Sequence, residues 1–146
     1  IFIEIGDGQG EAFSYNNLGN AYYFLGQYEQ AREYYQQSLA ITREIGDRNG
    51  EASSYNNLGS VYNSLGQYEQ AREYYQQSLA ITREIGDRNG EANSYIGLGN
   101  AYYFLGQYEQ AREYYQQSLA IFKEIGDKPG EAKALFNVDL CFKKVQ

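Results

Sequence analysis

Histidine is absent from this chain of 146 residues, and cysteine and proline occur once each. The first absence removes the commonest general base and the commonest metal ligand. A lone Cys141 builds neither a Cys/His zinc site nor a disulfide framework, and it fits a reducing compartment. A cytoplasmic location is therefore expected. No phosphate-cradling loop or dinucleotide fingerprint is present, because the 16 glycines follow a repeat rhythm instead. Apolar runs extend over only a few residues, so neither a transmembrane span nor a signal peptide is expected. A net charge of −7, with its acids dispersed, opposes binding to a phosphate backbone. Carboxylates are plentiful, but nearly all of them return in every repeat, as a solvated face would. The expectation is a non-catalytic protein with no cofactor, no metal, and neither nucleic acid nor membrane as partner.

What is present is repetition. Gly-Glu-Ala returns at 10–12, 50–52, 90–92 and 130–132, a spacing of forty residues. The segment QYEQAREYYQQSLAI stands unchanged at 27–41, 67–81 and 107–121. Each unit reads as two helices, the first over about Asp47 to Leu65 and the second over about Gln67 to Ile85. Gly66 separates them, and Gly86 is placed to end the second in a left-handed cap. Asp87 follows as an N-cap, and Pro129 falls in a first turn, where a missing N–H costs little. The units divide the chain into repeats at 7–46, 47–86 and 87–126. The stretch 1–6 reads as the tail of a preceding second helix, and 127–146 as a C-terminal capping helix.

Within the unit, Tyr15-x2-Leu18-Gly19-x2-Tyr22 followed by Ala31-x3-Tyr35 resembles the tetratricopeptide repeat signature, with Tyr in place of its usual Trp and Phe. The set returns as Tyr55, Leu58, Gly59, Tyr62, Ala71, Tyr75 and as Tyr95, Leu98, Gly99, Tyr102, Ala111, Tyr115. The forty-residue unit resembles the longer variety found in bacterial arrays and Pins-type polarity adaptors. The resemblance implies an all-α fold: a right-handed superhelix, or α-solenoid of antiparallel helix pairs. Gly19, mid-helix, costs about 1 kcal/mol relative to Ala. It is tolerable if a second helix approaches closely, with Ala31 expected opposite. Around that contact Tyr15, Leu18, Tyr22, Tyr28, Tyr35 and Leu39 supply apolar area that only stacked neighbours can bury.

In the first helix the positions that differ between units are 13, 16, 17, 20, 21, 23 and 24. At 100° per residue all but position 21 fall within an arc of roughly 120°. The constant residues lie on the opposite side. In the resembling superhelices the first helices line a concave groove that receives peptides, and the drifting face corresponds to it. The candidate groove residues are Phe13, Asn16, Asn17, Asn20, Tyr23 and Phe24 in the first unit. The second unit offers Asn56, Asn57, Ser60, Asn63 and Ser64, and the third Ile96, Asn100, Tyr103 and Phe104. All are uncharged. Asn both donates and accepts, which suits the backbone of an extended peptide. Tyr23, Phe24, Tyr103 and Phe104 would seat apolar side chains. On this reading Asn20 and Asn100 can be truncated to Ala with the thermal melt nearly unchanged. The alternative has the aromatics packing on the neighbouring repeat and the Asn residues as polar filler.

The expected partner is a protein or an extended, largely uncharged peptide. Domains of this type that clamp an acidic tail use Lys or Arg in the groove. Here only Lys133, Lys143 and Lys144, in the last helix, fall at such positions. Arg48, Arg88 and Lys128 in the inter-repeat turns are expected to be solvated or salt-linked. The start in mid-repeat suggests a piece of a longer array or an engineered sequence. A structural alternative follows, with self-association end to end through the terminal helices. In the last helix Leu135, Val138, Phe142 and Val145 are expected to face inward, and Cys141 to be a small packing residue. Phe136 and Leu140 project toward the groove side.

Overall fold

The computed structural model describes residues 5–145, with side chains from Asp7 onward. Among them the chain forms seven consecutive helices: α1 (Ile5–Phe24), α2 (Tyr28–Ile45), α3 (Arg48–Ser64), α4 (Tyr68–Ile85), α5 (Arg88–Phe104), α6 (Tyr108–Ile125) and α7 (Lys128–Val145). Each packs on its neighbours in the chain, and α3 against α5 stands out as a contact between first helices. The result is an all-α solenoid of stacked helix pairs. Of the stretch expected as a preceding helix tail, 1–4 lies outside the described residues, whereas Ile5 and Gly6 belong to α1. No helix among the described residues is long and apolar enough to cross a membrane.

The turns are set by local chemistry. Gly46, Gly86 and Gly126 end the second helices at φ of 75°, 76° and 75°, a region costly for any residue with a Cβ. The reversal at Gly46 places the Asp47 N–H on the Thr42 carbonyl at 2.9 Å, which closes the helix end. Asp47 then caps the next helix, its carboxylate accepting the Gly50 N–H at 3.0 Å, and Asp87 and Asp127 repeat this at Gly90 and Gly130. The turn arginines are salt-linked. Arg48 donates to both Glu51 and Glu84, and Arg88 to both Glu91 and Glu124.

Inside each pair the constant tyrosines do the packing. The ring of Tyr34 lies against Tyr15 and Tyr22, with centroids 6.1 and 5.4 Å apart. Tyr74 lies in the same way against Tyr55 and Tyr62, and Tyr114 against Tyr95 and Tyr102. Arg32 and Arg72 extend from the second helices over the rings of Tyr62 and Tyr102 in the next unit. The two arginine contacts tie successive units together.

The close approach at the mid-helix glycines differs from expectation. A Cβ on Gly19 would meet the Tyr35 ring at 2.6 Å, one on Gly59 the Tyr75 ring at 2.7 Å, and one on Gly99 the Tyr115 ring at 2.5 Å. The glycines therefore make room for a tyrosine ring rather than for Ala31. The terminal helices also differ from the internal ones. Leu58 is fully buried, whereas its equivalent Leu18 is 43% exposed, because no helix covers that side of α1 among the described residues. In α7, Leu135, Phe142 and Val145 are exposed, and the buried stripe is Ala134, Val138 and Cys141. The inward expectation for the first three fails because the face they occupy is the one a following second helix would cover.

Candidate functional site

The positions that vary in α1, α3 and α5 share one face, and openings along it join into a trough. A cavity of about 620 Å³ lies between α1, α2 and α3, walled by Phe13, Asn16, Ser38 and Ser53. Ser53 also borders a space of about 210 Å³ with Asn56 and Asn93. Asn56 and Asn93 in turn border one of about 140 Å³ that reaches Ser60, Tyr75, Ile96 and Asn100. The last opening, about 260 Å³, continues from Ser60, Tyr75 and Asn100 to Tyr23, Asn63, Ser64 and Phe104.

The candidates do not all stand in this trough in the same way. Asn17, Asn20, Phe24, Asn57 and Tyr103 line none of these openings, and of them Asn17 and Phe24 are exposed, Phe24 at 85%. Ile96 lines it but is only 5% exposed and belongs to the core. Tyr23 is half-buried against Phe24 and Tyr28, with its hydroxyl 3.1 Å from Ser64 Oγ. Tyr103 is held in the same way by Phe104 and Tyr108. Phe104 stacks on Tyr68 at 5.2 Å between centroids, yet keeps 57% of its surface open. Packing on a neighbouring unit and facing the trough are thus both true of Phe104.

Several of the asparagines are already engaged. Asn20 Oδ1 accepts the Tyr35 hydroxyl at 2.5 Å, and Asn100 Oδ1 accepts that of Tyr115 at 2.5 Å. In the middle unit Ser60 lies 3.0 Å from the Tyr75 hydroxyl. Burial pushes Tyr35 and Tyr75 up to about 12 and raises Tyr115 as well, so all three stay neutral hydroxyls at physiological pH. Truncating Asn20 or Asn100 would strip a tyrosine of its acceptor, so the expectation of an unchanged melt gives way. Asn57 Nδ2 donates to Asn16 Oδ1 at 2.7 Å. Asn56 Oδ1 and Asn63 Oδ1 are buried with no partner.

Sequence reasoning missed the part played by the constant helices. Ser38, Thr42, Tyr75, Ser78 and Thr82 all lie on the second helices and wall the trough. Their signal is faint, because invariance gives no sign of which face a residue serves. Charge enters only at the margins, through the capping Asp47 and Asp87 and through Lys133. Lys144, expected at a groove position, lies over the Tyr108 ring at 5.7 Å.

Comparison with known proteins bears on this arrangement. A family model described as tetratricopeptide repeat matches residues 1–44, 10–84, 50–124 and 90–138. No curated protein matches. Among solved structures, BtubC from P. vanneervenii is 23% identical with a TM-score of 0.83, over 92% of this chain and 56% of that one. This chain thus spans a little over half the length of that relative. The second TPR domain of human RPAP3, solved in complex with the HSP70 peptide SGPTIEEVD, is 22% identical. It matches with a TM-score of 0.71 over 92% of this chain and 97% of that one. The TPR2AB domain of yeast Sti1, solved as a pHSP90 complex, is 24% identical with a TM-score of 0.77, over 92% of this chain and 47% of that one.

Proposed function

Because the chain belongs to the tetratricopeptide repeat family, a family of protein-interaction repeats, we propose that it is a non-catalytic scaffold whose trough holds an extended, largely uncharged peptide. The observation that carries this reading is the continuity of the trough, from Phe13 at one end to Tyr23 and Phe104 at the other, with mostly uncharged hydrogen-bonding walls. Asn and Ser side chains meet a peptide backbone, and the exposed ring faces meet apolar side chains. The peptide bound by RPAP3 carries acidic residues. Here a single wall lysine, Lys133, offers little to such a ligand, which favours an uncharged one.

A library of random dodecapeptides displayed on phage tests this. The immobilised chain is expected to select peptides of near-zero net charge, and a Tyr23→Ala/Phe104→Ala double variant to bind them at least five-fold more weakly. Failure to select any peptide, or affinities indifferent to that double change, would sink the reading.

End-to-end association is the second reading, and the exposed Leu18 and Leu25 speak for it. The other end speaks against it. Asp139 occupies the slot of Gly59, where even a Cβ would meet a tyrosine ring at 2.7 Å. A second helix laid on α7 in the internal register would therefore press a ring onto a carboxylate.

A further inference from the structure

The cations of this acidic chain are unevenly satisfied. Every arginine from α1 to α5 is paired with a carboxylate, and so is Lys128. Among the described residues the unpaired cations are Arg112, Lys123, Lys133, Lys143 and Lys144, all on α6 and α7. Large apolar side chains gather at the same end, with Leu135, Phe136, Phe142 and Val145 each at least 40% exposed. The preceding unit shows how such a face is covered. On α5, Tyr95 and Tyr102 receive Tyr114 of α6, Tyr103 lies against Tyr108 at the start of α6, and Arg88 reaches Glu124 near its end. The equivalent positions on α7 hold Leu135, Phe142, Lys143 and Lys128. The outward face of α7 is thus a helix seat with a lysine at each end.

Two substitutions keep another repeat out of it. Asp139 stands in the place of Gly99, where a Cβ would already meet the Tyr115 ring at 2.5 Å. Gln146 stands in the place of Gly106, whose φ of 82° makes the turn into α6. A residue with a Cβ is strained at that φ, so the hairpin that lays α6 on α5 is not repeated here. We propose that the outward face of α7 docks an acidic amphipathic helix of a partner protein, antiparallel to α7. Its first turn brings a carboxylate to Lys143, and its last turn brings one to Lys128, as Glu124 serves Arg88. An aliphatic side chain fills the space between Leu135 and Phe142, seven positions and about 10.5 Å of helical rise apart. At the crossing a small donor such as serine replaces the tyrosine ring and meets Asp139. A lipid surface matches less well, because it would cover the Asp139 carboxylate and give it no donor.

The probe is a synthetic peptide as long as α6, with glutamates in its first and last turns, a leucine seam and serine at the crossing. Fluorescence anisotropy against the whole chain is expected to show at least ten-fold tighter binding than for the same peptide with glutamine for glutamate. The gap should narrow as salt rises. Lys128→Glu/Lys143→Glu is expected to lower affinity for the acidic peptide at least ten-fold and to gain affinity for a lysine-bearing version. Tyrosine at the crossing should abolish binding to the parent chain, and Asp139→Gly should restore it. Equal binding of acidic and neutral peptides, or indifference to the reversed lysines, would overturn the proposal. So would binding to phosphatidylserine vesicles without binding to the peptide. A mass that doubles with concentration and reverts in the Lys128→Glu/Lys143→Glu variant would overturn it too, in favour of a second copy. Lys128 and Lys143 line none of the trough openings, so the groove reading stands or falls separately.

Discussion

Asn100 shows how one side chain can belong to a groove and to the fold at once. Its Oδ1 accepts from Tyr115, whose hydroxyl burial has made reluctant to ionise. Asn100→Ala should cost about 1–3 kcal/mol in urea unfolding, the range for stranding a buried polar group. Asn100→Ser should recover most of that, since Ser60 serves Tyr75 in the middle unit at 3.0 Å. Equal losses in the two variants would refute the assignment. At this scale the sequence was only partly legible. Asn16, Asn20, Asn56 and Asn57 are the same residue on the same helical face. Whether each amide is free depends on what stands across a helix pair or one unit on, such as Asn57 for Asn16 and Gly97 for Asn56. A single helix read by itself carries no record of that.

Among the elements, internal and terminal first helices are the same pattern in different surroundings. Leu58 is sealed between helices while Leu18 is largely open. Leu58→Ala should therefore lower stability by about 2–5 kcal/mol in chemical denaturation, the cost of a core cavity. Leu18→Ala should cost less than about 1 kcal/mol, because the site is already wet. Helix positions were legible because their causes are local: left-handed glycines at 46, 86 and 126, and capping aspartates at 47, 87 and 127. The contribution of the second helices to the trough was not. Tyr75 reaches it only because Gly59 and Gly97, 38 residues apart, leave the ring its space.

For the molecule as a whole, the fold was legible from a forty-residue period, since a unit that cannot bury its own faces must stack. The same stacking makes the array sensitive to alkali. Tyr35 and Tyr75 ionise near 12 in the folded state against about 10 in an unfolded chain, so folding favours their protonated forms. That stabilisation is complete below about pH 10 and is lost as pH climbs through 12. Circular dichroism should show helix melting across that window, with the last tyrosinate absorbance rising alongside it rather than before it. The ring of Tyr75 has one more consequence. Tyr35 and Tyr115 rest on the glycine of their own unit, and the next unit presents Asn57 or Asn137 to them; Tyr75 alone is lodged between glycines of two units. In a linear array whose cohesion is a sum of nearest-neighbour couplings, this makes the second and third units behave as one cooperative block. Fraying then starts at α1 and α7, and the seat of Tyr75 between Gly59 and Gly97 lies inside the part of the chain that opens last.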